Sequence, residues 1–201
     1  MKVFKKIACS VLALGLVFGL TACKAKEFDH KMLADFCEEQ DFEEYDDFDN
    51  FYAAYGDIIT FHAEEEGVYM YATKGDAQDL YDKVLNRFGE LPTYDVSEAT
   101  LFSYGDKEQL TVGYLFTFEE TKEAEKLFKK YGKAFADDGE NGEEKSYSYY
   151  IETGDGPSGK DTLTGVYLKG NTVLIVRSMT KDSDLVEDMC AYFKVISPTE
   201  A

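Results

Sequence analysis

The chain has 201 residues, with 21 Lys and Arg against 40 Asp and Glu and a formal net charge of −19. A charge of that sign and size repels phosphate backbones and anionic lipid headgroups, which argues against nucleic acid as a partner and against electrostatic adhesion to a membrane. Cationic partners stay open: calcium, basic peptides, amine-bearing wall polymers.

Met1–Lys6 carries three lysines and no acid, and Ile7–Leu20 (IACSVLALGLVFGL) follows as an apolar, small-residue run. A basic head, a short apolar body and small residues before a cut are the layout of a secretory signal peptide. A membrane-crossing helix needs about 20 apolar residues. Ile7–Ala22 is shorter and runs straight into Lys24, Lys26, Glu27 and Asp29. Leu20-Thr21-Ala22-Cys23 resembles the lipobox of bacterial lipoproteins. That resemblance implies cleavage between Ala22 and Cys23, a diacylglyceryl group on the Cys23 sulfur, and a place on the outer face of the cell membrane. A plain secretory signal fits the same charges; the distinguishing feature is a cysteine at the one position where lipid transfer could use it. Each buried methylene contributes about 0.8 kcal/mol, so one acyl chain holds marginally and two hold durably.

Removing residues 1–22 takes away three of the 21 basic residues and none of the 40 acidic ones. The mature chain of 179 residues then carries a net charge of −22. That length suits one ordinary domain, residues 29–197, behind a lipidated tether at 23–28. Two related halves, about 29–105 and 106–197, are the alternative division. The tether is too short for a stalk, so the body is expected to lie close to the membrane.

From Asp29, a good N-cap, Leu33, Phe36 and Cys37 recur at helical spacing. Asp41–Asn50 (DFEEYDDFDN) is the most acidic stretch, and it either extends that helix or makes a loose strand. Ile58–Ala63 and Val68–Thr73 read as a strand pair around Glu64-Glu65-Glu66-Gly67. Asp76 then caps a helix whose stripe is Ala77, Leu80, Tyr81, Val84, Leu85 and Phe88, with Gly89 as its stop. Thr100–Tyr104 is a short strand. Leu110, Val112, Tyr114, Phe116 and Phe118 alternate with Thr111, Gly113, Leu115 and Thr117, a strand with one fully apolar face. Glu119–Phe135 returns to helical period, and Asp137–Glu144 reads as a solvated loop. Ser146–Thr153 is a strand; Leu163–Lys169 and Thr172–Met179 flank Gly170-Asn171, a two-residue hairpin signal. A last helix spans about Ser183–Lys194.

Strand, polar bend and amphipathic helix succeed one another three times, at Val68–Gly89, Thr111–Gly132 and Val173–Lys194. Strands joined by tight hairpins make an antiparallel sheet, and helices with one apolar stripe cover it. The expected fold is α+β: a two-layer sandwich of mostly antiparallel sheet with amphipathic helices on one face, built from repeated strand–helix elements.

Catalytic signals are thin. Gly154-Asp155-Gly156-Pro157-Ser158-Gly159-Lys160-Asp161 almost spells a phosphate-binding loop, but Asp161 stands where a hydroxyl should hold magnesium and a strand comes next instead of a helix. His62, Glu64 and Glu66 could share a metal, although two histidines, His30 and His62, are few for a zinc site. Asp46-Asp47-Asp49 and Asp137-Asp138-Glu140-Asn141 are acidic enough for calcium without its ordered ligand spacing. Tyr147, Tyr149 and Tyr150, with Tyr69 and Tyr71, could make a stacking platform for sugars or peptides. Cys37 and Cys190 look like core residues that an exported chain could join.

Lipobox and acidic, Tyr- and Phe-rich domain together are similar to small surface lipoproteins of Gram-positive bacteria, a resemblance that implies an anchor and no particular activity. The expected function is a non-enzymatic binding or interaction module without catalytic residues, cofactor or metal, lipidated at Cys23, with a cationic or peptide ligand. The alternatives are a wall or peptide hydrolase using carboxylates and a calcium-responsive surface protein.

Overall fold

The computed structural model describes residues 27–60, 66–86, 89, 91–105, 109–135, 139–155, 161–179 and 184–201. Helix α1 (His30–Glu39) starts where Asp29 accepts a hydrogen bond from the Lys31 N–H at 2.9 Å, and it buries Leu33, Phe36 and Cys37. After the two-residue strand β1 (Glu43–Glu44), helix α2 (Phe48–Ile59) takes residues 58–59, which the sequence predicts to begin a strand. Asp47 caps it by accepting from the Asn50 N–H at 3.0 Å, and Phe51, Tyr55 and Ile58 form its buried stripe. Side-chain periodicity therefore outweighs the β-preference of the isoleucines.

Strand β2 (Glu66–Thr73) runs directly into helix α3 (Lys74–Leu80), two residues ahead of the expected Asp76 cap, and then into a π-helical turn, Tyr81–Leu85. Gly89 holds the positive φ of 67° expected after such a stop. Next come β3 (Val96–Gly105), β4 (Leu110–Phe118), α4 (Thr121–Phe135), β5 (Glu140–Glu143), β6 (Ser148–Asp155), β7 (Asp161–Lys169), β8 (Thr172–Ser178) and α5 (Asp184–Phe193). Strand β5 occupies part of the stretch that reads in sequence as a loop.

The strands form one eight-stranded sheet in the order β1-β2-β3-β4-β8-β7-β6-β5. All pairs are antiparallel except β1 with β2. The α+β class and the mostly antiparallel sheet are as the sequence predicts. The single helical layer is corrected: helices cover both faces. On one face α2, α3 with its π turn, and α4 pack over Met70, Leu101, Phe116, Val173 and Ile175. On the other, α1 and α5 pack over Tyr69, Phe102, Leu115, Leu174 and Val176.

The second core is muted in sequence because polar and small residues share its strands. Thr111 donates to the Ser178 hydroxyl at 3.0 Å, and Thr117 meets the His30 ring, so both are buried without loss of hydrogen bonding. Gly113 lies opposite Phe102, whose ring fills the space a Cβ would need. The strand–helix order does recur three times, yet α3 and α4 lie on one face and α5 on the other.

The two ends of the sheet are built differently. One end carries the Gly170-Asn171 hairpin, with Gly170 at φ 63°, the turn after β5, the start of α4 and the start of α3. Phe28 is buried there: its N–H donates to Thr172 Oγ1 at 3.0 Å and its ring meets Phe193 edge-on at 5.8 Å. The opposite end holds Glu66, Gly105, Ser178 and the first residue of α5, Asp184.

Candidate functional site

Helix α4 packs on β4, β8, β7 and β6 and leaves a groove between itself and the β5–β6 edge. Two adjoining hollows of about 360 and 320 Å³ make it up, and they share Glu125, Glu143, Ser148 and Leu168. The floor is aromatic: Tyr150 packs on Phe128 with ring centroids 4.7 Å apart and lies across Gly132, where a Cβ would strike the ring. Its rim is mainly anionic, with Glu125, Glu143 and Glu144 against Lys129 and Lys169. An aromatic floor with carboxylates above it suits a cationic or peptide ligand.

A second polar cluster is sealed. His30 sits between two threonines, Nδ1 at 2.8 Å from Thr100 Oγ1 and Nε2 at 2.8 Å from Thr117 Oγ1. Burial holds its pKa down at about 4, and the carboxylates of Glu98 and Asp29 offset this only in part. In the neutral ring one nitrogen donates and the other accepts, so both hydroxyls are satisfied without charge. The neighbouring Tyr71 is half exposed and donates to Glu98 at 2.9 Å. This arrangement braces the start of α1 against β3 and β4.

Cys37 and Cys190 lie in the same buried cluster under α1 and α5 as free thiols. Burial pushes both up, Cys190 to about 11, so neither forms thiolate near neutrality. In a chain carrying Cys9→Ser and Cys23→Ser, a thiol reagent is expected to label neither Cys37 nor Cys190 in the native state and both after denaturation, as read by mass.

The other sequence candidates are scattered. Cys23, His62 and Glu64 lie outside the described residues, as do Asp137, Asp138 and residues 156–160 of the loop-like phrase. The flanks of that phrase, Asp155 and Asp161, pair as a β-hairpin. Glu66 is exposed at the start of β2, and Glu140 and Asn141 are exposed on β5. Those strands stand six positions apart in the sheet, roughly 29 Å at 4.8 Å per step, too far to share an ion. Asp47 is used as a helix cap, beside exposed Asp46 and Asp49. Among the described residues no three His, Cys, Asp or Glu side chains are placed to hold a metal. The tyrosines do not form one platform: Tyr69 is buried beneath α1, Tyr147 and Tyr149 belong to the α1/α5 face, and Tyr150 belongs to the α4 face.

No family model and no curated protein matches the chain. One solved structure from T. acidophilum, titled "putative lipoate protein ligase", aligns with 79% of this chain and 74% of its own, at 13% identity and a TM-score of 0.22. That likeness is too slight to carry fold or function.

Sequence reading does not find the groove, because its outer wall is the stretch that reads as a loop. It also misses the role of His30. The partners of that ring lie 70 and 87 residues away, and no local spacing announces them.

Proposed function

We propose that the chain is a lipoprotein anchored through Cys23 at the outer face of the cell membrane, and that its folded domain is a non-enzymatic binding module. The reading is carried by one juxtaposition: Cys23 of the lipobox stands five residues before Phe28, the first buried residue described. A diacylated cysteine there keeps the domain against the bilayer despite its negative charge. The α4 groove is the binding surface in this reading, and its glutamates favour a basic peptide.

Changing Cys23→Ser is expected to move the protein from the membrane fraction to the soluble fraction and to remove the diacylglyceryl mass. Unchanged partition and mass would defeat the anchor. For the groove, a lysine-rich peptide is expected to bind the folded domain and to weaken about fivefold in a Glu125→Gln, Glu143→Gln double variant, since each rim charge contributes about half a kcal/mol.

A further inference from the structure

The proposed anchor also fixes which way the domain stands, a consequence that depends on lipidation at Cys23. Five Cα steps separate Cys23 from Phe28, and five residues span at most about 18 Å in any conformation. Phe28 itself cannot swing. Its side chain is buried, its N–H is bound to Thr172, its ring lies against Phe193, and Lys169 Nζ caps that ring at 5.1 Å from the centroid. The chain therefore enters the domain at the Gly170-Asn171 end of the sheet. Strand β3, with ten residues, runs about 30 Å from that end to the other.

We infer that the hairpin end of the sheet faces the lipid headgroups and that the end bearing Glu66 and Asp184 points away from the membrane. The membrane-facing rim consists of the β5–β6 turn with Lys145, the β7–β8 hairpin, the β4–α4 connection with Glu119 and Glu120, and Lys74 at the start of α3. Its charges balance, with Lys74, Lys145 and Lys169 against Glu119, Glu120 and Glu144, so it has no strong attraction of its own for an anionic bilayer; the short tether holds it there. The α4 groove, whose Thr121 and Gly170 end lies at this rim, is then reached from the side.

The test uses the lipidated protein in vesicles containing a headgroup-labelled quencher lipid, with one fluorophore attached at Lys145→Cys, Glu120→Cys, Glu66→Cys or Asp184→Cys. The native cysteines do not compete, because Cys37 and Cys190 are buried. Across about 30 Å of sheet, quenching at positions 145 and 120 is expected to exceed that at 66 and 184 at least about twofold. Inserting twenty Gly and Ser residues after Lys24 adds an average reach of about 25 Å and is expected to erase the difference. Equal quenching at the two ends, or a difference that survives the longer tether, overturns the orientation while leaving the anchor standing. Vesicles that take up the Cys23→Ser protein as well as the parent overturn the anchor and the orientation together.

Discussion

Replacing Phe116 by alanine is expected to destabilise the domain by about 3–5 kcal/mol. Phe116 is fully buried on β4, a central strand of the sheet. Its ring meets Tyr81 edge-on at 5.6 Å and lies beside Tyr114 and Phe118. Those neighbours come from the π turn of α3 and from β4 itself, so a cavity there has no single mobile element that could collapse into it. For a domain of this length the melting temperature should fall by about 10 °C or more. Tyr52→Ala, at a side chain 42% exposed on α2, is the matched control and should cost under about 1 kcal/mol. A Phe116→Ala melt within a degree or two of the parent would mean that this face is not a close-packed core.

Acidification is expected to remove about 3 kcal/mol of stability through His30 alone. The folded-state pKa of the ring is about 4 against 6.5 for an ordinary histidine, so between those values the unfolded chain holds a proton that the native state lacks. The contribution is complete above pH 6.5, declines as the pH falls below it, and is exhausted near pH 4. Desolvation drives this, since a charged imidazole would lie buried with threonine hydroxyls on its two nitrogens and the Tyr71 ring beside it; Glu98 and Asp29 attract the charge too weakly to reverse the sign. Denaturant unfolding from pH 7 to 4 should show the parent losing stability faster than His30→Gln, with the difference confined to that window. Parallel curves would place the acid sensitivity in the carboxylates.

How much of the fold is legible in the sequence differs from element to element. The alternation of Val112, Tyr114, Phe116 and Phe118 and the Gly170-Asn171 hairpin locate the centre of the sheet, because period and turn chemistry are local properties. The second helical layer is hidden by Thr111, Gly113 and Thr117. Each reads as an outward, water-facing residue, and each is accommodated inside by a partner on another element: Ser178, Phe102 and His30. Ile58 and Ile59 mislead in the opposite direction, since β-branched residues ending an aromatic-striped helix look locally like a strand. The candidate groove needs β5, four residues whose pairing with β6 has no hydrophobic signature. The resemblance of Leu20-Thr21-Ala22-Cys23 to a lipobox is legible because it rests on four adjacent residues; the end of the sheet at which the chain enters the domain is not, because that depends on Phe28 closing against a strand 144 residues further on.

The outermost strands are short and acidic: Glu43 and Glu44 make up the whole of one, and Glu140 and Glu143 bracket the other. An open margin of a sheet offers unpaired donors and acceptors on which another copy could polymerise. Molecules confined to a plane collide far more often than molecules free in three dimensions, so that hazard grows with surface density. Where β1 and β5 form the margin, an approaching copy meets carboxylates with carboxylates over a ladder of two or four residues. The acidic margins therefore oppose that pairing wherever copies of the domain are crowded together.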